Sequence, residues 1–421
     1  MIIKPTSHLR GEIVVPGDKS ISHRAVMLGA IADGTTHISG FLNSADCLST
    51  IDCFSKLGVK IEVSSDSAIV YGKGMHSLVA PASVLYTGNS GTTTRLLAGL
   101  MSAQNFDSTI DGDASIRKRP MERVRTPLLS MGADIDSSFC PLNIHGKKLR
   151  GISYTLPVAS AQIKSSIILA SLYADSPSTI TEPHQSRNHT ELMLSHMGAD
   201  IKRFDNSLIA MPAQKLSARD ITVPADISSA AFFMVAALIT KNSQITLLNV
   251  GVNETRSGII DVLKAMGADI VLENERYFGL EKVCDITVSS SQMHGVEISG
   301  EIIPRLIDEI PIIAVAASFA SGTTTIKDAS ELKVKESNRL DAVVCELKRC
   351  GVDVDATDDG MIIRGGNDIF GAQFKTYNDH RIAMSMAVMA LGAQGESEIE
   401  NPETVDISFP NFFDLLASVC K

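Results

Sequence analysis

Residues 226–239 read DISSAAFFMVAALI, a polar head followed by an apolar run with no polar face. A helix that is apolar on every side has to be buried in its domain. At about 10–14 residues such a run is too short to span a bilayer. The same phrase, a polar head and then small and apolar residues leading into a β-prone segment, returns five more times. The copies begin at Lys19 (KSISHRAVMLGAIADGTTHI), Asn89 (NSGTTTRLLAGLM), Ser160 (SAQIKSSIILASL), Asp308 (DEIPIIAVAASFASGTTTI) and Asp379 (DHRIAMSMAVMALGA).

Between copies lies a second, amphipathic helix pattern. Ile259, Val262, Leu263 and Met266 form one apolar stripe, and Leu340, Val343, Val344 and Leu347 another. Five times this helix stops on nearly the same words: LGVKI from Leu57, MGADI from Met131, Met197 and Met266, and CGVDV from Cys350. A terminal Gly suits the left-handed position that ends a helix. The stop glycines at 58, 132, 198, 267 and 351 are spaced by 74, 66, 69 and 84 residues. That period is too long for a solenoid and predicts one compact βαβ-rich unit built six times.

Length and composition narrow the classes. A chain of 421 residues is long enough for two or three domains. Residues 4–16 alternate like a strand and lack the apolar segment of a signal peptide, so a cytoplasmic protein is expected. Seven cysteines without CxxC spacing argue against a disulfide framework or a zinc site, and no His, Cys and carboxylate grouping has metal-ligand spacing. Cys345 and Cys350 read as packing residues of one helix. A net charge of −10, 5% aromatics and no Trp argue against a nucleic-acid groove.

The polar heads carry the functional signal. A helix N-terminus is partially positive and disfavours cations. Yet Lys19, Arg24, Arg95 and Arg381 sit within about two turns of such starts. Pairing with Asp18, Asp379 or another carboxylate accounts for any one of them. Four at equivalent ends point to a shared anion site, because helix N-termini with Arg or Lys bind anions. The run IRKRPMERVR holds Arg117, Lys118, Arg119, Arg123 and Arg125. A charge run is usually a solvated face, but the preceding DGDAS and Pro120 favour a loop entering a helix, and Arg119 is the candidate there. Asp308 and Glu309 open a buried helix with Pro311 in its first turn. Capping is the expected role of Glu309. LKVKESNRL places Lys333, Lys335, Glu336 and Arg339 at the start of the fifth unit's second helix. Taken alone, Glu336 and Arg339 read as a surface i,i+3 pair. GDKS and GNSGTTTR are glycine-rich but do not fit G-x-x-x-x-G-K-[ST], which excludes a P-loop.

Taken together, GDKSISHRA, GNSGTTTR, GDASIRKRPM, SAQIKSS, LKVKESNR and YNDHRIAMS resemble the 5-enolpyruvylshikimate-3-phosphate synthase family, in the family's order and over nearly the whole chain. The resemblance implies an α/β, two-domain enolpyruvyl-transferase-like fold, each domain built from three copies of the βαβ-rich repeat around buried parallel helices. It implies a C-terminal domain of residues 1–18 plus 225–421, an N-terminal domain of 19–224, and a double hinge near 17–19 and 223–226. The helix N-termini of both domains would face a common cleft. The implied reaction moves the enolpyruvyl group of phosphoenolpyruvate to the 5-hydroxyl of shikimate 3-phosphate and releases phosphate. It needs no cofactor, no metal and no covalent nucleophile, and its partners are these two anions. A monomer is expected, with neither nucleic acid nor membrane as partner.

Carried over residue by residue, the resemblance makes Asp308 the base at the target hydroxyl. It makes Glu336 and Lys19 the groups that move the methylene proton, with the division between them left open. Lys19, Asn89, Gly91, Arg119, Arg339, His380 and Arg381 match the phosphoenolpyruvate site, with Arg95 beside the phosphate corner. Ser20, Arg24, Ser160, Ala161, Gln162, Ser186, Arg187, Asp308 and Lys335 match the shikimate 3-phosphate site. Departures exist. Ala161 stands where many relatives have Ser, Asn188 and Asn338 stand where Asp is common, and Ile407 replaces a lysine of one branch, so that lysine's contact cannot be carried over.

The related enzymes that use UDP-N-acetylglucosamine have a loop cysteine, and residues 111–124 contain none. They also have Lys-Asn where this chain has Lys19 and Ser20. An RNA 3′-phosphate cyclase built from related repeats fits poorly with the acidic charge, sparse aromatics and six-unit plan. A non-enzymatic scaffold would not need cations at helix starts together with Asp308 and Glu336. Because Gly91 stands where an Ala methyl crowds glyphosate in tolerant relatives, the chain is expected to be glyphosate-sensitive. An inhibition constant far above the KM for phosphoenolpyruvate would contradict that expectation.

Overall fold

The six apolar runs are helices: Lys19–Ile31, Gly91–Ser102, Ala161–Ser171, Ile227–Ile239, Ile310–Phe319 and His380–Gly392. In the computed structural model, which describes residues 1–421, they fall into two units of three. Unit 1 comprises Met1–Pro16, Pro224–Tyr277 and Lys282–Lys421; unit 2 comprises Gly17–Val223 and Phe278–Glu281. Each unit has its own apolar core. The turn Phe278–Glu281, which sequence reading assigned to the C-terminal domain, groups with unit 2.

One repeat makes one sheet. The second repeat runs Leu85–Tyr86, helix Gly91–Ser102, Ser108–Asp111, helix Glu122–Ser130, then Asp134–Ile135 and Leu142–His145. Leu85–Tyr86 pairs parallel with Ser108–Asp111, whose other edge starts an antiparallel ladder through Leu142–His145 to Asp134–Ile135. Four other four-stranded sheets repeat this order, and a three-stranded sheet makes the sixth. The leading strands explain how each unit closes. Ile221–Thr222 lies parallel to Asp33–Ser39 and completes the first repeat. Arg10–Ile13 lies parallel to Gln244–Gly251 and completes the fourth. Ile2–Ile3 pairs with Ser397–Ile399 in the last sheet.

The second helices end as their sequences predict. Gly58, Gly132, Gly198, Gly267 and Gly351 have φ between 88° and 99°, the left-handed region in which a Cβ is strained. Their stripes are core: Ile259, Leu263, Met266 and Leu347 are fully buried. Each such side chain contributes about 1.5–3 kcal/mol relative to exposure. All seven cysteines are free thiols. Cys350 packs as expected, whereas Cys345 is exposed because it falls off the apolar stripe of its helix.

Apart from the Phe278–Glu281 turn, the chain passes between units at Pro16/Gly17 and Val223/Pro224. Gly17 is sterically required there, since a Cβ would lie 1.8 Å from the Gly40 carbonyl oxygen. The Val223 N–H donates to Ser39 O at 2.8 Å, and the Asp226 N–H to Pro16 O at 2.9 Å.

In unit 1 the three inner helices pack against one another pairwise. In unit 2 the closest approach is between Gly91–Ser102 and Ala161–Ser171. Gly99 makes it possible, because a Cβ there would meet the Ser166 carbonyl oxygen at 2.2 Å. Gly99→Ala is therefore expected to destabilise unit 2 by about 1–3 kcal/mol, the usual cost of overpacking. Urea unfolding that shows no loss would contradict this close approach.

Candidate active site

In unit 1 the starts of the three inner helices converge. The Ser228 hydroxyl in the first turn of Ile227–Ile239 donates to the Glu309 carboxylate, which precedes Ile310–Phe319. Arg381, second residue of His380–Gly392, donates to the Asp308 carbonyl oxygen at 3.0 Å and lies 3.5 Å from Glu309. Three partially positive helix ends thus meet in one place. Glu309 does not cap its helix as expected. It occupies the capping position without a side-chain cap bond, and its Oε1 instead faces Ser228 and Arg381.

Beside this convergence lies a buried charge hub. Arg339 is 1% exposed, so the surface-pair reading of Glu336 and Arg339 is overturned. Its guanidinium reaches Asp379 from Nε at 2.8 Å and from Nη2 at 3.3 Å, Glu336 at 2.6 Å and Asp308 at 3.3 Å. Lys335 approaches the same Asp308 oxygen at 3.3 Å. Burial by itself would lower the Arg339 pKa; the Asp379, Glu336 and Asp308 carboxylates outweigh it and raise it. Burial would raise the Asp379 pKa, but the Arg339 charge holds it below the usual carboxylate value. Asp379 also caps the His380–Gly392 helix through the Arg381 N–H at 3.0 Å and accepts from the Ser337 hydroxyl at 3.0 Å. One carboxylate therefore fixes both the helix carrying His380 and Arg381 and the hub.

Unit 2 holds a second constellation. Ser90 and Ser160 cap the Gly91–Ser102 and Ala161–Ser171 helices through the N–H groups of Thr93 and Ile163. These helix starts are tied together: Arg95 donates to Gln162 at 2.6 Å, and Gln162 to Thr92 at 3.2 Å. Arg119 is buried and donates to Asn89 at 3.2 Å. A Cβ on Gly91 would meet the guanidinium ends of Arg95 and Arg119 at 2.9 and 3.0 Å, so both arginines converge on this glycine. Arg117 instead bonds Asp111. Arg24 is buried and donates to Thr190 at 2.7 Å, Ser20 O at 2.9 Å and Ser165 at 3.0 Å. Lys19 pairs with Asp46 at 2.5 Å, and the Asp18 carboxylate caps its helix through the Ile21 N–H. Ser186 is buried, and its hydroxyl donates to Glu182.

A hydroxyl relay underlies this constellation. His23 Nδ1 lies 2.7 Å from Thr50 Oγ1, Thr50 lies 2.7 Å from Thr93, and Thr93 donates to the capping Ser90 at 2.7 Å. Sequence reading named Asp379 only as a partner for a nearby cation, and it did not single out Asp46 or His23 as supports.

Convergent helix N-termini lined with Arg and Lys, with carboxylates beside them, suit transfer chemistry on anionic small molecules. The fold is that of enolpyruvyl transferases. It matches an enolpyruvyl transferase, NikO, from Streptomyces tendae with a TM-score of 0.80 over 99% of this chain and 96% of that one, at 16% identity. The chain belongs to the EPSP synthase family, whose sequence model, described as EPSP synthase (3-phosphoshikimate 1-carboxyvinyltransferase), matches residues 3–416. The family's reaction is enolpyruvyl transfer from phosphoenolpyruvate to shikimate 3-phosphate. A 3-phosphoshikimate 1-carboxyvinyltransferase of Thermoanaerobacter sp. is 55% identical, covering 98% of this chain and 99% of its own. One of Brevibacillus brevis is 52% identical, covering 100% and 99%. An EPSP synthase from Acinetobacter baumannii superposes with a TM-score of 0.89 at 45% identity, covering 100% of this chain and 97% of that one. No helix is long and apolar enough to cross a membrane.

His23 generates a pH prediction. Burial first, then the charges of Lys19 and Arg24, push its pKa well below 6.5. Because the folded value is depressed, the unfolded chain binds the extra proton, and stability present above 6.5 is lost as pH falls towards the folded pKa. Urea unfolding between about pH 7.5 and about pH 5.5 should show a larger loss for the natural chain than for His23→Gln. Equal losses would contradict a neutral buried His23.

Proposed function

We propose that the two constellations divide the work of transferring the enolpyruvyl group of phosphoenolpyruvate to the 5-hydroxyl of shikimate 3-phosphate. The observation that carries this reading is the Asp308 carboxylate, placed just ahead of a buried helix between the cations Lys335 and Arg339. Asp308 acts as base towards the 5-hydroxyl. The hydroxyl oxygen forms a bond to C2 of the donor while a proton reaches the donor methylene. The resulting tetrahedral adduct still carries its phosphate. Loss of a proton from the new methyl group then expels phosphate and restores the double bond. Glu336, held at 2.6 Å by Arg339, and Lys19 move that proton.

The donor is bound by Lys19, Asn89, Gly91, Arg119, Arg339, His380 and Arg381. Cations and helix ends neutralise its phosphate and carboxylate, and they stabilise charge that develops in the adduct. The acceptor is bound by Ser20, Arg24, Ser160, Ala161, Gln162, Ser186, Arg187, Asp308 and Lys335. Arg339 has a second task in this reading. With its donors spread over three carboxylates, it orients the base and the proton carrier together.

Phosphate release from phosphoenolpyruvate tests the reaction, with shikimate 3-phosphate or UDP-N-acetylglucosamine as acceptor. Release should require shikimate 3-phosphate. Release only with the sugar nucleotide, or none from folded protein, would overturn the assignment. Asp308→Ala should fold yet lose about 10²–10⁴-fold in turnover, the usual contribution of a general base. Near-normal turnover would remove Asp308 from that role.

A further inference from the structure

Lys164 is a fully buried charge in unit 2 that no step of the reaction uses. It lies on Ala161–Ser171, one residue beyond the turn that Ser160 caps. Three oxygens surround its Nζ: Glu191 Oε1 at 2.7 Å, Glu182 Oε2 at 3.0 Å and the Ser186 carbonyl oxygen at 3.1 Å. Glu182, itself 1% exposed, accepts from the Ser186 N–H at 3.2 Å and from the Ser186 hydroxyl. Arg203 adds a second positive charge at the rim, 3.4 Å from Glu182 and 3.9 Å from Glu191. Two cations and two anions therefore balance.

Stability alone does not explain such a cluster. Replacing a buried ion pair with apolar residues of similar size is often neutral or stabilising. What the cluster does achieve is specific. Lys164 and Glu182 together hold Ser186 at its N–H, its carbonyl oxygen and its hydroxyl. Ser186 immediately precedes Arg187, in the segment that leads into the His189–His196 helix. The Ser186 hydroxyl gives its proton to Glu182, so the pair fixes the orientation of the residue as well as its backbone. Arg187, the next residue, is the arginine this segment carries.

We propose that Lys164 and Glu182 are positioning residues that fix the 182–188 segment so that Arg187 is presented to the phosphate of the acceptor substrate. The proposal rests on the assignment of Ser186 and Arg187 to the shikimate 3-phosphate site.

The test compares the natural chain with Lys164→Met/Glu182→Met, which removes both charges of the pair and leaves Glu191 and Arg203 to balance each other. Glu182→Gln, which keeps the size of the side chain, is the fallback should the double variant not fold. KM for each substrate, kcat and Tm are measured, with calorimetric titration of shikimate 3-phosphate. The expected result is a Tm close to the natural value and a KM for shikimate 3-phosphate raised about tenfold or more. The KM for phosphoenolpyruvate and kcat should stay within about twofold. Arg187→Ala should raise the same KM. If Arg187→Ala raises it and the charge-free variant does not, the positioning role alone is overturned. If neither does, the assignment of Arg187 fails and the proposal with it. A joint decline of kcat and both KM values would mark a general loosening of the unit and also overturn the proposal.

Discussion

A guanidinium that is 1% exposed has to be neutralised where it lies, and in this protein three carboxylates do so at once. Arg339 binds Asp379, Glu336 and Asp308. These residues come from three separate stretches of unit 1, so the ionic constraint ties together the starts of two inner helices and of the amphipathic Arg339–Arg349 helix. Removing one partner of a buried charge cluster typically costs about 3–5 kcal/mol, because the charges left behind are unpaired. The hub therefore fixes geometry as well as charge. The carboxylate assigned as base and the one assigned to proton transfer share a single rigid donor. Their relative placement is set before any substrate arrives, which is the condition for orientation to assist a reaction.

The second principle is repetition. Each repeat buries an apolar helix and leaves the start of that helix as the polar end. Three such starts converge in unit 1 through Ser228, Glu309 and Arg381. In unit 2, Arg95, Gln162 and Thr92 join two, and Arg24 with Ser165 links the third. The fold thus concentrates partial positive charge without spending side chains on it. The cations then add full charge beside these helix starts. The same economy explains Gly91, since a bare Cα lets two guanidinium groups approach one helix start.

Much of this could be read from the chain. The apolar runs, the five glycine stops and the amphipathic stripes are local patterns, and local patterns survive in sequence. The family resemblance holds over the whole chain for the same reason. What could not be read were pairings between distant residues. Glu336 and Arg339 look like a surface pair until Asp379, 40 residues on, closes the hub from the other side. Glu309 looks like a cap until Ser228, 81 residues earlier, turns out to bond one of its carboxylate oxygens. Lys164 left a clue that could have been used. A lysine inside SAQIKSSIILASL, a helix that must be buried all round, requires counter-charges somewhere, although sequence does not say that they are Glu182 and Glu191.

The central claim is that the hub aims Asp308 at the hydroxyl that reacts. A crystal structure with shikimate 3-phosphate bound tests it most directly. The account predicts an Asp308 carboxylate oxygen within about 2.6–3.2 Å of the substrate's 5-hydroxyl, with Arg339 still bridging Asp308, Glu336 and Asp379. A bound substrate whose 5-hydroxyl meets a different base, with Asp308 still turned to Lys335 and Arg339, would contradict it.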